Sequence, residues 1–175
     1  MNAKDPQVID TLAEFMTHAI ALENESVERY EELADSMEVH NNPEVAKLFR
    51  KLAHFGELHA REIKSHADGM TLPQILPWDF KWSTPEGPES GPMQEVHYMM
   101  NRRQAIEYAL HNEEAGRDFY AAVAENSPRA EVREMAAEFA AEENEHVDIL
   151  KSWLLNLVDP ESVRPEDLDP PNIPE

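Results

Sequence analysis

Apolar residues recur along this chain at helical spacing, and no stretch alternates with the two-residue period of a strand. A first helix is predicted over about residues 5–37, with Pro6 suited to its first turn; Leu12, Met16, Ala19, Glu23, Tyr30 and Leu33 share one face. The turn His40-Asn41-Asn42-Pro43 follows. Asn42 offers a cap and Pro43 a first helical position for a second helix reaching about Ala67, with Gly69 as its stop. Val45, Leu48, Leu52, His59 and Ile63 mark its inward stripe. A third helix carries Ile106, Ala109, Glu113, Tyr120 and Val123 and ends near Asn126; it starts at an Asn101 cap or near Met93. Ser127-Pro128 repeats the cap-plus-proline signal. The fourth helix runs to about Leu157, with Met135, Phe139, Leu150, Trp153 and Leu157 on its apolar face and Glu143 and His146 in the middle of that face.

Residues 70–92 hold Pro73, Pro77, Pro85, Pro88 and Pro92 with Gly87 and Gly91, so they read as a connection, not a helix. Leu72, Ile75, Leu76, Trp78, Phe80 and Trp82 predict that it packs on the bundle. A connection this long suits a crossover along a helix bundle; covering a pocket or a partner subunit would also account for it. The domain is therefore placed at residues 1–158, with the crossover at about 68–92. An acidic, proline-rich tail at 159–175 is expected to be disordered or draped.

The two helix pairs look related. An offset of 90 residues superposes Glu23 on Glu113, Ala19 on Ala109 and Tyr30 on Tyr120; an offset of 87 superposes His59 on His146 and Ala53 on Ala140. Two helix-pair repeats joined by a long crossover give an all-α, antiparallel four-helix bundle with ferritin-like connectivity.

Composition narrows the function. At 175 residues and 41% hydrophobic, the chain can bury a core. Its 36 acidic against 15 basic residues, a formal charge of −21, argue against nucleic acid and against anionic membrane surfaces as partners. With no cysteine, thiolate metal centres and cysteine nucleophiles are excluded. No apolar run reaches about 18 residues and no signal-type segment opens the chain, so a soluble cytoplasmic protein is expected by default.

The inward carboxylates carry the chemistry. Burying one without a partner costs several kcal/mol, so several on core stripes point to neutralisation by a metal. A two-metal site in a four-helix bundle takes one Glu from each of two helices and Glu-x-x-His from each of the other two. Residues i and i+3 share a helix face, so both reach one ion or a close pair. Glu23, Glu113 and the pair Glu143/His146 fit, and carboxylate with imidazole suits iron or manganese, with zinc a further alternative. The second helix supplies His59, but Gly56 stands three residues before it where a Glu is called for. Glu57 lies about 100° round the helix, and Glu62 reads as solvated.

Blander readings apply to other positions. Glu31, Glu32, Glu134 and Glu138 fit a solvated face. Tyr30 and Tyr120 fit plain core aromatics, or hydroxyls that orient metal-bound carboxylates. Gly56 and Gly116 either permit close helix packing or leave room for a small molecule at the metal.

Four segments in order resemble the rubrerythrin-like branch of the ferritin-like superfamily: Ala21-Leu22-Glu23 through Tyr30, Phe49 through His59-Ala60, Glu113 through Tyr120, and Glu142 through His146. The resemblance spans about residues 10–157 without much of the crossover. It implies a di-iron site, a homodimer, and iron oxidation coupled to reduction of peroxide or oxygen. It departs from the family in lacking a four-cysteine rubredoxin-like domain, so an external electron donor is required. Gly56 leaves one iron as an alternative to two. A non-catalytic iron-binding protein and a metal-free interaction module using Trp78, Phe80, Trp82 and the tail are the rival expectations.

Overall fold

The computed structural model describes residues 8–82, 87–89 and 96–157. Among these residues four helices form, α1 (Leu12–Val39), α2 (Pro43–His66), α3 (Arg102–Asn126) and α4 (Ala130–Asn156), with one 3₁₀ turn at Pro77–Asp79 in the crossover. α1 packs along α2 and α3 along α4, and the two pairs close into an all-α four-helix bundle of ferritin-like connectivity. Pro6, the Met93 start and the acidic tail lie outside the described residues.

Helix starts follow local chemistry in two of four cases. The Thr11 hydroxyl accepts the Glu14 N–H at 3.1 Å, and Glu14 in turn accepts the Asp10 N–H at 3.1 Å; α1 therefore begins at Leu12, later than its periodicity suggests. Asn101 and Gln104 form a full capping box, which selects the later of the two starts for α3. The other two caps differ from expectation. Asn42 makes no side-chain cap; its amide donates to the carbonyls of Met100 (2.9 Å) and Tyr98 (3.2 Å), tying the α1–α2 turn to the residues before α3. Pro43 still opens α2. Ser127 donates to the Ile9 carbonyl at 2.8 Å, and Arg129 takes the cap position of α4. In both cases a buried carbonyl elsewhere in the fold competes successfully for the polar side chain.

The core divides into two apolar clusters. One holds Tyr30, Leu33, Met37, Phe49, Ile106 and Leu150. The other holds Phe15, Met16, Leu22, Ile63, Tyr120 and Phe139. Glu23, His59, Glu113, Glu143 and His146 fall along their helices between the residues that build these clusters, so the polar stretch lies inside the bundle with hydrophobic packing on either side.

The crossover is clasped to the bundle by an aromatic stack. Phe80 and Trp82 lie parallel with centroids 4.5 Å apart, and both rings meet the edge of His18. His18 is fully buried. Its Nδ1–H donates to the Glu14 carbonyl (2.9 Å), and its Nε2 accepts the Lys81 N–H (3.0 Å). Both ring nitrogens are thus satisfied in one neutral tautomer, and burial lowers the imidazole pKa. Of the three crossover aromatics read as a partner surface, Phe80 and Trp82 pack inward, while Trp78 is 77% exposed. No described helix is long and apolar enough to cross a membrane.

Candidate metal centre

The four helices bring all five predicted side chains together. Glu23 arrives from α1, His59 from α2, Glu113 from α3, and Glu143 with His146 from adjacent turns of α4. His59 Nδ1 lies 3.3 Å from Glu23 Oε2 and 3.3 Å from Glu143 Oε1. His146 Nδ1 lies 3.3 Å from Glu113 Oε2 and 3.2 Å from Glu143 Oε2. Glu143 therefore stands between two imidazoles whose ring centroids are 5.0 Å apart. Donor atoms of His59, Glu143 and His146 lie within 4.8 Å of one another, as do those of Glu23, Glu89 and Glu143.

Burial sets the electrostatics. Glu23 and Glu143 are almost wholly enclosed. Burial pushes the Glu143 carboxyl up to about 8; the His146 hydrogen bond opposes this, and the charges of Glu23 and Glu113 reinforce it. Burial works against the charge of His59, yet the hydrogen bond and charge of Glu23, with Glu143 behind, hold it at about 9. Burial likewise opposes His146, and hydrogen bonding to Glu113 and Glu143 lifts it to about 11. Protons here fill the place that a cation would take. Glu143 Oε1 is buried without a hydrogen bond, because His59 Nδ1 is near it but poorly aligned. An orphaned buried carboxylate oxygen facing imidazole and carboxylate donors fits a site for a divalent metal.

Neighbouring groups differ from what repeat symmetry suggests. The Tyr120 hydroxyl donates to Glu23 Oε1 at 3.1 Å, entirely inside the core. The Tyr30 hydroxyl is equally buried beside Asn112 and Glu113 but makes no well-formed hydrogen bond. Glu142 is close to His59 Nε2 at 3.2 Å, leaving Nδ1 facing the cluster. A carboxylate behind an imidazole holds its tautomer and orientation. Glu57 points away as expected, 3.6 Å from His54.

One residue was not anticipated. Glu89, from the crossover, reaches the middle of the bundle and is only 2% exposed. Its only signal in the sequence is an acidic residue between Pro88 and Ser90, which nothing distinguishes from a solvated loop glutamate. A cavity of about 290 Å³ adjoins the cluster, lined by Glu23, His59, Glu89 and Glu113 and rimmed by Phe55 and Trp153.

Among known proteins, the profile of the family Rubrerythrin matches residues 14–77 and 104–168, most of all four helices. The crystal structure of an uncharacterized conserved protein from Magnetospirillum magnetotacticum MS-1 is similar, at 44% identity, with a TM-score of 0.65. The alignment covers 86% of this chain and 97% of that one. No functionally curated protein matches. The profile match takes in the segments that carry Glu23, His59, Glu113, Glu143 and His146, and on that match the chain belongs to the rubrerythrin family.

Proposed function

We propose that this protein is a non-haem iron oxidoreductase of rubrerythrin type that reacts with peroxide or oxygen. The observation that carries the reading is Glu143: a buried carboxylate set between His59 and His146, with one oxygen lacking a hydrogen bond. Glu113, Glu143 and His146 would hold one iron, and Glu23 with His59 a second, with Glu143 or Glu113 as bridge. Manganese and zinc are the competing metals for such a donor set. Iron held by these residues would supply the electrons that reduce the oxidant, and a separate donor would return them, since this chain has no cysteine for a rubredoxin-type centre.

The protein's own groups would then do three things. Glu142 accepts the Nε2–H of His59 and keeps Nδ1 toward the metal. Tyr120 orients Glu23 through its hydroxyl. The cavity, with Phe55, Leu58 and Trp153 at its edge, admits a small oxidant and limits water around the carboxylates. A cytoplasmic homodimer completes the reading, and light scattering on purified protein tests the dimer.

The test is anaerobic loading with iron(II), metal counting by mass spectrometry, then one equivalent of peroxide with absorbance followed in a stopped-flow cell. Rapid oxidation, with turnover once a reductant is added, supports the oxidoreductase. Bound iron that oxidises no faster than free iron supports a non-catalytic iron-binding protein. A folded protein that takes up no metal refutes the site and leaves an interaction module.

A further inference from the structure

Helices α2 and α3 each present a glycine toward the centre. Gly56 lines the cavity, and a Cβ there would come within 2.9 Å of Val27 Cγ2. Gly116 is different. A Cβ there would collide with the Glu89 side chain, 2.8 Å from its Cδ and 2.9 Å from its Cγ, and closer still to Oε1. The missing side chain of Gly116 is thus the space into which the Glu89 carboxylate fits. Glycine in a helix interior is otherwise unfavourable.

The approach of Glu89 is anchored. Two residues earlier, the Gly87 N–H donates to Glu25 on α1 at 3.1 Å. The Glu89 carboxylate hydrogen-bonds Ser26, one residue further along α1. Its Oε1 is buried with no hydrogen-bond partner. The carboxyl groups nearest it in electrostatic effect are Glu23, Glu143 and Glu113. Burial first, and then the carboxylates of Glu23, Glu143 and Glu113, push the Glu89 carboxyl well above the usual range, and a buried oxygen without a hydrogen bond costs free energy that a cation would offset. One of its carboxylate oxygens comes within 4.8 Å of donor atoms on Glu23 and Glu143, close enough for the three to share a cation.

We propose that Glu89 is a metal ligand, supplying from the crossover, across the Gly116 notch, the carboxylate that α2 lacks at Gly56. The proposal rests on the metal-site reading above and adds to it a ligand that no helix provides.

The experiment is anaerobic titration of the full chain with cobalt(II), followed by its ligand-sensitive visible absorption, on wild type, Glu89→Gln, Gly116→Ala and Glu89→Ala/Gly116→Glu. Circular dichroism on each variant reports the fold. Removing a mere outer-shell partner weakens metal binding about 10–100-fold, so Glu89→Gln is expected to lose at least that and to change the cobalt spectrum. Gly116→Ala keeps every carboxylate but blocks the notch, and is expected to reproduce the loss. The double variant, with its carboxylate delivered from α3 into the same space, is expected to recover at least part of the affinity. Unchanged affinity and spectrum in both single variants would overturn the role of Glu89 while leaving the metal site intact. Failure of wild type itself to bind cobalt would instead overturn the site as a whole, and the proposal with it.

Discussion

Metal binding should expel about two to three protons at pH 7 from Glu143, His59 and His146, beyond any that Glu89 gives up. In the metal-free cluster burial pushes Glu143 up to about 8, and the neighbouring carboxylates hold His59 at about 9 and His146 at about 11, so the three share protons at neutral pH. Metal ligation requires ionised carboxylate and neutral imidazole, so each proton must leave. Raising the pH from 6 to 7 is therefore expected to strengthen overall affinity by about 100–1,000-fold, tenfold per proton released. Titration calorimetry at fixed pH in buffers of different ionisation enthalpy counts the protons directly. Fewer than about one proton per loaded chain, or affinity that is flat between pH 6 and 8, would refute the picture of a site charge-balanced by protons. Stability carries the same signature. All three groups have folded pKa values above their unfolded ones, so their stabilising contribution is complete below pH 4.5 for Glu143 and below 6.5 for the histidines. It is lost as pH rises through about 8, 9 and 11 respectively. For the enclosed pair Glu143 and His59, the metal-free protein should lose about 2 kcal/mol per pH unit between 6.5 and 8. Metal addition should remove that slope.

Tyr120→Phe removes a buried hydrogen bond to the Glu23 carboxylate and should cost about 1.5–3 kcal/mol in urea denaturation of the metal-free protein; Tyr30→Phe, which removes a hydroxyl with no well-formed partner, should be near neutral. Equal losses would show that repeat symmetry, not the observed hydrogen bonding, governs the two tyrosines. Phe139→Ala empties a contact with Phe15, Tyr120 and His66 and should destabilise by about 3–5 kcal/mol, read from the same denaturation curves. His18 has a lowered pKa, so its contribution is present above the ordinary value of 6.5 and is lost as pH falls through the folded value. Protonation makes Nε2 a donor facing the Lys81 N–H, and the clasp under Phe80 and Trp82 should open. Tryptophan emission that is unchanged on acidification to about pH 4.5 would refute this.

Much of this protein is legible without coordinates. Helical periodicity locates four helices, because burying an apolar stripe is the strongest local constraint on such a chain. The same periodicity places Glu23, His59, Glu113, Glu143 and His146 inward, since a residue's face follows from its spacing alone. What local spacing could not reach depends on residues distant in the chain. Asn42 and Ser127 look like caps, but carbonyls of Met100 and Ile9, far away in sequence, claim their side chains. Tyr30 and Tyr120 are equivalent by repeat, yet only one finds an acceptor. Glu89 belongs to a segment with no periodicity, so nothing in its neighbours announces burial; the notch at Gly116 lies on another element, 27 residues away in the chain. Helix faces are written in the sequence because they follow local geometry, whereas the meeting of a loop carboxylate with a glycine on α3 exists only once the bundle has closed.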